Sequence, residues 1–317
     1  MVAKPYSSQT IQQAWDLIQK AQKITLLTHQ NPDADGISAC AALDLIFAKM
    51  GKTVEAVYPT KPEFPLTRQP RMVHINTHTQ IPDLIIALDT ANYARLYYPE
   101  MFKSIPLINI DHHVSSNING TCNLLNPVAS STCEELFLLI KQWAPDMIDQ
   151  AVAECLLFGM LYDTQVFHTQ ATKPYTLRIA AELMDYGANV FDLKNELLAN
   201  KSPKIIALWG RVLSNIQISP SGNAAWATIT QKDLKAFDVM PVALVGFSNF
   251  LWEIGGVDIT AVFYETETGK SKISLRSKTS DVNALANKFG GGGHKNASGI
   301  TSDKPLQQLI SEITKLF

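Results

Sequence analysis

The apolar positions of this chain fall into short unbroken runs, separated by longer stretches with helical spacing. Residues 24–27, 53–58, 84–88 and 106–110 are apolar at nearly every position and read as strands. Strands without polar alternation belong to a parallel sheet covered on both faces. Around them, residues 11–21 place Ile11, Trp15 and Ile18 on one helical face. Residues 37–50 form an alanine-rich helical pattern stopped by Gly51. Pro59, Pro62, Pro65 and Pro70 make residues 59–70 a loop. Helices follow at 132–143, 148–161 and 176–186, and 190–216 stays mostly helical. Ser131 with Glu134, or Thr132 with Glu135, fits a capping box at the first of these.

The pattern changes after Pro220-Ser221-Gly222. A strand at 224–230 and a short helix at 232–236 come first. Strands at 259–264 and 272–276 flank Glu267-Thr268-Gly269 as a hairpin. A helix at 282–289 runs into four glycines, and a helix at 306–317 closes the chain. The expected architecture is α/β: an N-terminal parallel-sheet domain (1–186), a helical linker (187–216) and a smaller C-terminal α+β domain (217–317).

Composition narrows the class. At 317 residues the chain can hold two cores. A net charge of −2 excludes tight, sequence-independent duplex binding, which needs many cationic contacts. Four cysteines without CxxC spacing read as buried reduced thiols of a cytosolic protein. Residues 1–10 are polar and not a leader, and no run is long enough to span a membrane, so a cytoplasmic protein is expected.

The chemistry gathers at strand ends. His29, Asp33 and Asp35 lie on the stretch that follows the first strand; Asp89 ends the third; Asp111, His112 and His113 end the fourth; Asp163 follows a helix. Each alone serves as a turn, a cap or a solvated acid. Together they come to one edge of the sheet, where open α/β folds build their sites. So many carboxylates repel one another unless cations lie among them. Carboxylates with a few imidazoles suit magnesium or manganese better than zinc. The set is large enough for two ions, the arrangement that clamps a phosphoryl group. Arg95, and Ser274 with Arg276, offer phosphate contacts. Gly291, Gly292 and Gly293 before His294 leave backbone amides open to an anion. His74 and His78 read as solvated loop histidines, and His168 as a lesser candidate for the site.

The order Asp33-x-Asp35-Gly36, Asp89-Thr90, Asp111-His112-His113 and Gly159-x-x-x-Asp163-Thr164 resembles the DHH phosphoesterase family. Gly290–Gly293, His294 and Ala297-Ser298-Gly299 resemble the signature of its DHH-associated domain. The similarity runs from about residue 10 to the C-terminus, and points to the short NrnA-like oligoribonucleases and the stand-alone phosphodiesterases that process linear di-adenylate. It implies an active site in a cleft between the two domains. It also implies two manganese ions, with magnesium or cobalt as substitutes: one held by His29, Asp33 and Asp89, the other by Asp35, Asp89, His112 and Asp163. Asp111 would orient a histidine and His113 would meet the scissile phosphate or carry a proton. Arg95, Ser274, Arg276, Gly291, Gly292, Gly293 and His294 would bind substrate.

The function implied is hydrolysis of short single-stranded RNA or DNA and linear dinucleotides to mononucleotides, with 3′-phosphatase action on phosphoadenosine phosphate beside it. Alternatives are a cyclic di-AMP phosphodiesterase, a pyrophosphatase and a catalytically inactive nucleotide-binding regulator. A homodimer is compatible with the sequence.

Overall fold

The structure is a computed structural model that describes residues 6–62, 67–114, 116–198, 201–240, 244, 246–266 and 268–317; the side chain of His294 lies outside the described set. Part of the proline-rich loop (63–66) and Glu267 of the expected hairpin turn also lie outside it. The chain divides into two compact units, Met1–Ala199 and Asn200–Phe317.

The first unit contains α1 (Ser8–Lys20), β1 (Lys23–Leu27), α2 (Ala34–Lys49), β2 (Thr53–Tyr58), β3 (Val73–Ile75), β4 (Leu84–Leu88), β5 (Leu107–Asp111) and β6 (Cys122–Leu125). α3 (Thr132–Trp143), α4 (Gln150–Asp163), α5 (Pro174–Asp185) and α6 (Val190–Leu198) follow. All six strands are parallel, in the order β3-β2-β1-β4-β5-β6. The helices share one core with one face of the sheet, around Ile24, Leu26, Ile86, Ile108 and Ile110. The opposite face carries Leu27, Val57, Ile85 and Ala87. It is covered by Leu96, Phe102 and Ile118 from loops and short 3-10 turns rather than by α-helices. Runs apolar on both sides do require cover on both faces, but a loop with well-placed large side chains supplies it as well as a helix does.

β3 and β6 are edge strands that the apolar runs did not mark, since both are short and only partly buried. His74 and His78 also depart from the solvated reading. His74 lies in β3, and the His78 ring stacks on Tyr97 and donates from Nδ1 to the buried Glu55 at 3.2 Å. Glu55 also receives Thr25 and Thr79. A carboxylate in a strand interior needs such donors, and distant segments supplied them.

The second unit holds α7 (Pro203–Leu213), β7 (Gln217–Ile218), β8 (Ala224–Ile229), α8 (Gln231–Ala236), α9 (Phe247–Trp252), β9 (Ile259–Glu265) and β10 (Ser271–Ser277). It ends with α10 (Val282–Asn287), β11 (Gly292–His294), β12 (Ala297–Ser302) and α11 (Leu306–Thr314). Its sheet runs β11-β12-β10-β9-β8-β7. One core joins α7 and α9 to β8 and β9, and another joins α10 and α11 to β9, β10 and β12. Among the described residues no helix is long and apolar enough to cross a membrane.

Candidate metal centre

The strand ends of the first unit converge as the parallel register dictates. β1 pairs with β4 and β4 with β5, so the residues following Leu27, Leu88 and Ile110 share one edge. Asp35 lies not on a loop but in the first turn of α2. The Asp33 side chain caps that helix, accepting Asp35 N at 3.1 Å and Gly36 N at 3.3 Å, so the helix starts at Ala34. Likewise α4 continues to Asp163, which therefore ends a helix rather than following one. Asp89 takes a left-handed backbone conformation (φ 55°), tolerable for Asp and common where a site dictates geometry.

Among the described residues, three overlapping groups have ligand atoms within 4.8 Å of one another: His29 with Asp33 and Asp89, Asp89 with His112 and His113, and Asp35 with His112 and Asp163. Asp89 sits in the middle. Its Oδ2 lies 3.5 Å from His29 Nε2, and its Oδ1 lies 3.6 Å from His112 Nε2 and 3.8 Å from His113 Nδ1. His29 Nε2 is 3.7 Å from Asp33 Oδ2, and His112 Nε2 is 3.2 Å from Asp163 Oδ2. Asp111 is fully buried at the end of β5; its Oδ1 accepts the amides of His112 and His113 and lies 2.6 Å from His113 Nδ1. That contact turns His113 Nε2 away from Asp111.

Electrostatics set these groups against one another. Burial opposes a charge on His29, yet Asp33 and Asp89 raise its pKa to about 10. Burial opposes charge on His112 too, and Asp163 still pushes it well up; His113 rises through Asp111 in the same way. Burial, with the nearby Asp163 and Asp89, drives the Asp35 carboxyl well above the carboxylate range, and burial raises Asp163 to about 6 against the pull of His112. Asp89 alone is held low; burial works against this, and the three imidazoles outweigh it. The carboxylates thus draw protons onto histidines and onto one another. A divalent cation removes that conflict, and hard oxygens with imidazole nitrogens are the donors such a cation takes. The residues present fit the metal.

Two contacts were not visible in sequence spacing. Arg95 Nη2 lies 2.9 Å from His29 Nδ1 and donates to Gln30 O at 3.3 Å, so Arg95 borders the cluster through His29. The N-terminus of α3 holds Asp35: Thr132 N and Cys133 N donate to its two oxygens at 2.6 and 3.0 Å. Sequence spacing marked Thr132 only as a possible cap. His168 is exposed.

In the second unit, Arg276 is half-buried on β10. Its Nε donates to Asn249 Oδ1 at 3.1 Å, and its Nη1 to Ser274 Oγ at 3.3 Å and Leu275 O at 3.0 Å. Asn249, on α9, is a partner the sequence did not mark. The glycine run enters β11 instead of remaining a loop, with Gly292 opposite Gly299 and His294 opposite Ala297. A Cβ on Gly291 would lie 2.2 Å from Gly299 O, and one on Gly293 2.5 Å from Ala297 O. Close pairing with β12 is therefore one reason these positions are glycine. Gly292 has no such crowding. Arg276, Ala297 and His294 form one cross-strand row, and Ser274, Gly299 and Gly292 form another two residues along.

Comparison with known proteins gives the following. Residues 23–160 match the DHH family, N-terminal domain, and residues 222–317 match the DHHA1 domain. The chain is 30% identical over 282 residues to a Streptococcus mutans protein named probable bifunctional oligoribonuclease and PAP phosphatase NrnA, covering 88% of this chain and 89% of that one. A Bacillus subtilis bifunctional oligoribonuclease and PAP phosphatase NrnA is 29% identical over 298 residues, covering 92% and 94%. An exopolyphosphatase-related protein of Bacteroides fragilis has a solved structure 25% identical to this chain, with TM-score 0.89 over 99% of this chain and 98% of that one.

Proposed function

The chain belongs to the DHH family of phosphoesterases, carries a DHHA1 domain and is a hydrolase, and we propose that it cleaves short single-stranded oligonucleotides to mononucleotides and removes the 3′-phosphate of phosphoadenosine phosphate. The observation that carries this reading is the placement of Asp89 between imidazoles on both sides, with carboxylates beyond them. In this reading His29, Asp33 and Asp89 hold one divalent ion, and Asp35, Asp89, His112 and Asp163 hold a second. Bound there, manganese, in preference to magnesium or cobalt, would supply Lewis acidity for phosphoryl transfer and for lowering the pKa of water.

The rest falls to the chain's own side chains. Asp111 fixes the His113 ring through Nδ1, so Nε2 presents a proton or a lone pair in a defined direction. Against the opposing effect of burial, Asp111 raises the His113 pKa, and in this reading Nε2 donates to a phosphoryl oxygen or to the leaving oxygen. Arg95 neutralises substrate charge beside His29. In the second unit, Arg276, aimed by Asn249 and Ser274, takes a substrate phosphate, with Ser274, the Gly292 and Gly293 backbone and His294 around it; the Gly291 amide is not open to an anion, since it donates to Ala286 O at 2.9 Å. The DHHA1 unit, acting on a substrate end, favours short chains. We place the enzyme in the cytoplasm.

The test strips the protein with a chelator, then offers manganese, magnesium or cobalt with a panel of labelled dinucleotide, pentanucleotide, phosphoadenosine phosphate, cyclic di-AMP and pyrophosphate. Mononucleotide from the oligomers and orthophosphate from phosphoadenosine phosphate, only after metal is restored, support the reading. Preferred opening of cyclic di-AMP, release of orthophosphate from pyrophosphate, or tight nucleotide binding without turnover would each replace it. Arg276→Ala should raise KM about tenfold, the loss of roughly 1.4 kcal/mol of charged hydrogen bonding, while leaving kcat nearly unchanged. An unaltered KM and an unaltered preference for short substrates would remove Arg276 from the site.

A further inference from the structure

We infer that Thr132 is the positioning residue that ties the two halves of the metal centre together. It is the first residue of α3, a helix of twelve residues whose N-terminus meets acids from two separate elements. The Thr132 amide donates to Asp35 Oδ2 at 2.6 Å, and its hydroxyl donates to Asp89 Oδ1 at 3.1 Å. Cys133 N completes the grip on Asp35 through Oδ1 at 3.0 Å. Thr132 and Asp35 are fully buried and Asp89 nearly so, leaving no solvent to substitute for these donors. One residue therefore sets the distance between a carboxylate from α2 and a carboxylate from the turn after β4.

The hydroxyl is available for this because another residue caps the helix. Ser131 is the N-cap, its Oγ accepting Glu134 N at 3.0 Å. Thr132 Oγ1 is left to serve Asp89. The service matters because the terminal torsion of an aspartate is soft: the carboxylate rotates over a broad, roughly two-fold range. Asp89 must keep Oδ2 toward His29 and Oδ1 toward His112 to be shared. A short donor fixed on a rigid helix selects that rotation, and O–H donation to a carboxylate is a strong bond. The expected pattern is that of a residue acting through a ligand: metal affinity and kcat change while substrate affinity does not.

This inference rests on the reading of Asp89 as a shared metal ligand, and the test separates the two. Metal-stripped wild type, Thr132→Val, Thr132→Ser and Asp89→Asn are titrated with manganese by calorimetry, and assayed on a dinucleotide. Thr132→Val keeps the shape and removes the hydroxyl; it should weaken manganese binding by about 10- to 100-fold, the usual cost of a lost ligand-supporting contact. It should also lower kcat with KM nearly unchanged, and lose the manganese-dependent rise in Tm. Thr132→Ser should restore all three. If the Val variant does not fold, Thr132→Ala is read in the same way. Wild-type manganese affinity and kcat in the hydroxyl-free variant, beside loss of both in Asp89→Asn, overturn the role of Thr132 alone. Retention of both in Asp89→Asn overturns the metal reading itself.

Discussion

Asp89→Ala should abolish turnover and strip the protein of metal. The carboxylate stands where imidazoles from β1, through His29, and from β5, through His112 and His113, all reach it. Removing it takes a ligand from both proposed ions at once. A loss of kcat of at least about a thousandfold is expected, roughly 4 kcal/mol of barrier. The Ala variant also changes the backbone, since residue 89 has a φ of 55° that Asp and Asn tolerate better than Ala. Asp89→Asn separates the effects: it keeps the shape and the left-handed turn and removes the charge. Metal content by mass spectrometry should fall in both variants, and Tm should fall further in Ala than in Asn. Full activity and full metal content in Asp89→Ala would dismantle the shared-ligand geometry.

Gly159→Ala is the second large effect, and it comes from a residue that ligates nothing. Gly159 lies in α4, where alanine is worth about 1 kcal/mol more than glycine by helix propensity. Its surroundings reverse the sign. A Cβ there would lie 2.4 Å from Cys133 Sγ and 2.6 Å from Asp35 Oδ1, both in fully buried groups. Neither can retreat easily, since Asp35 is held by the α3 amides and Cys133 lies in the first turn of that helix. Overpacking of this kind costs about 1–3 kcal/mol, and here the strain falls on Asp35. Tm should drop by several degrees, and activity and manganese affinity should drop with it. Gly210→Ala, in α7 with open space around its Cβ, is the control: neutral or slightly stabilising. A Gly159→Ala variant with wild-type Tm and metal affinity would mean that α3 and α4 can separate freely at this point.

These residues mark how far the primary structure could be read. The strand ends were visible because unbroken apolar runs stop abruptly at His29, Asp89 and Asp111, and a parallel sheet leaves little choice about where such ends gather. Gly159 stood out only as a letter in a motif, because the clash that forbids a side chain there needs two helices at a set distance. Arg95 was visible as a cation but not as a neighbour of His29, 66 positions away. Asn249 behind Arg276 gave no signal at all, since an asparagine on a short surface helix has no periodicity to betray it.

Residue order alone settled the class of the long and fully buried elements, the parallel first sheet and the set of acids and histidines that reach its edge. It could do so because burial writes its periodicity directly into neighbouring positions, and because strand termini are local events. Only the tertiary structure decided which oxygen faces which imidazole, that Asp33 caps the helix carrying Asp35, and that the first turn of α3 braces two acids at once. Those outcomes depend on angles and separations of a few tenths of an ångström between segments far apart in the chain, and no one-dimensional pattern carries such distances.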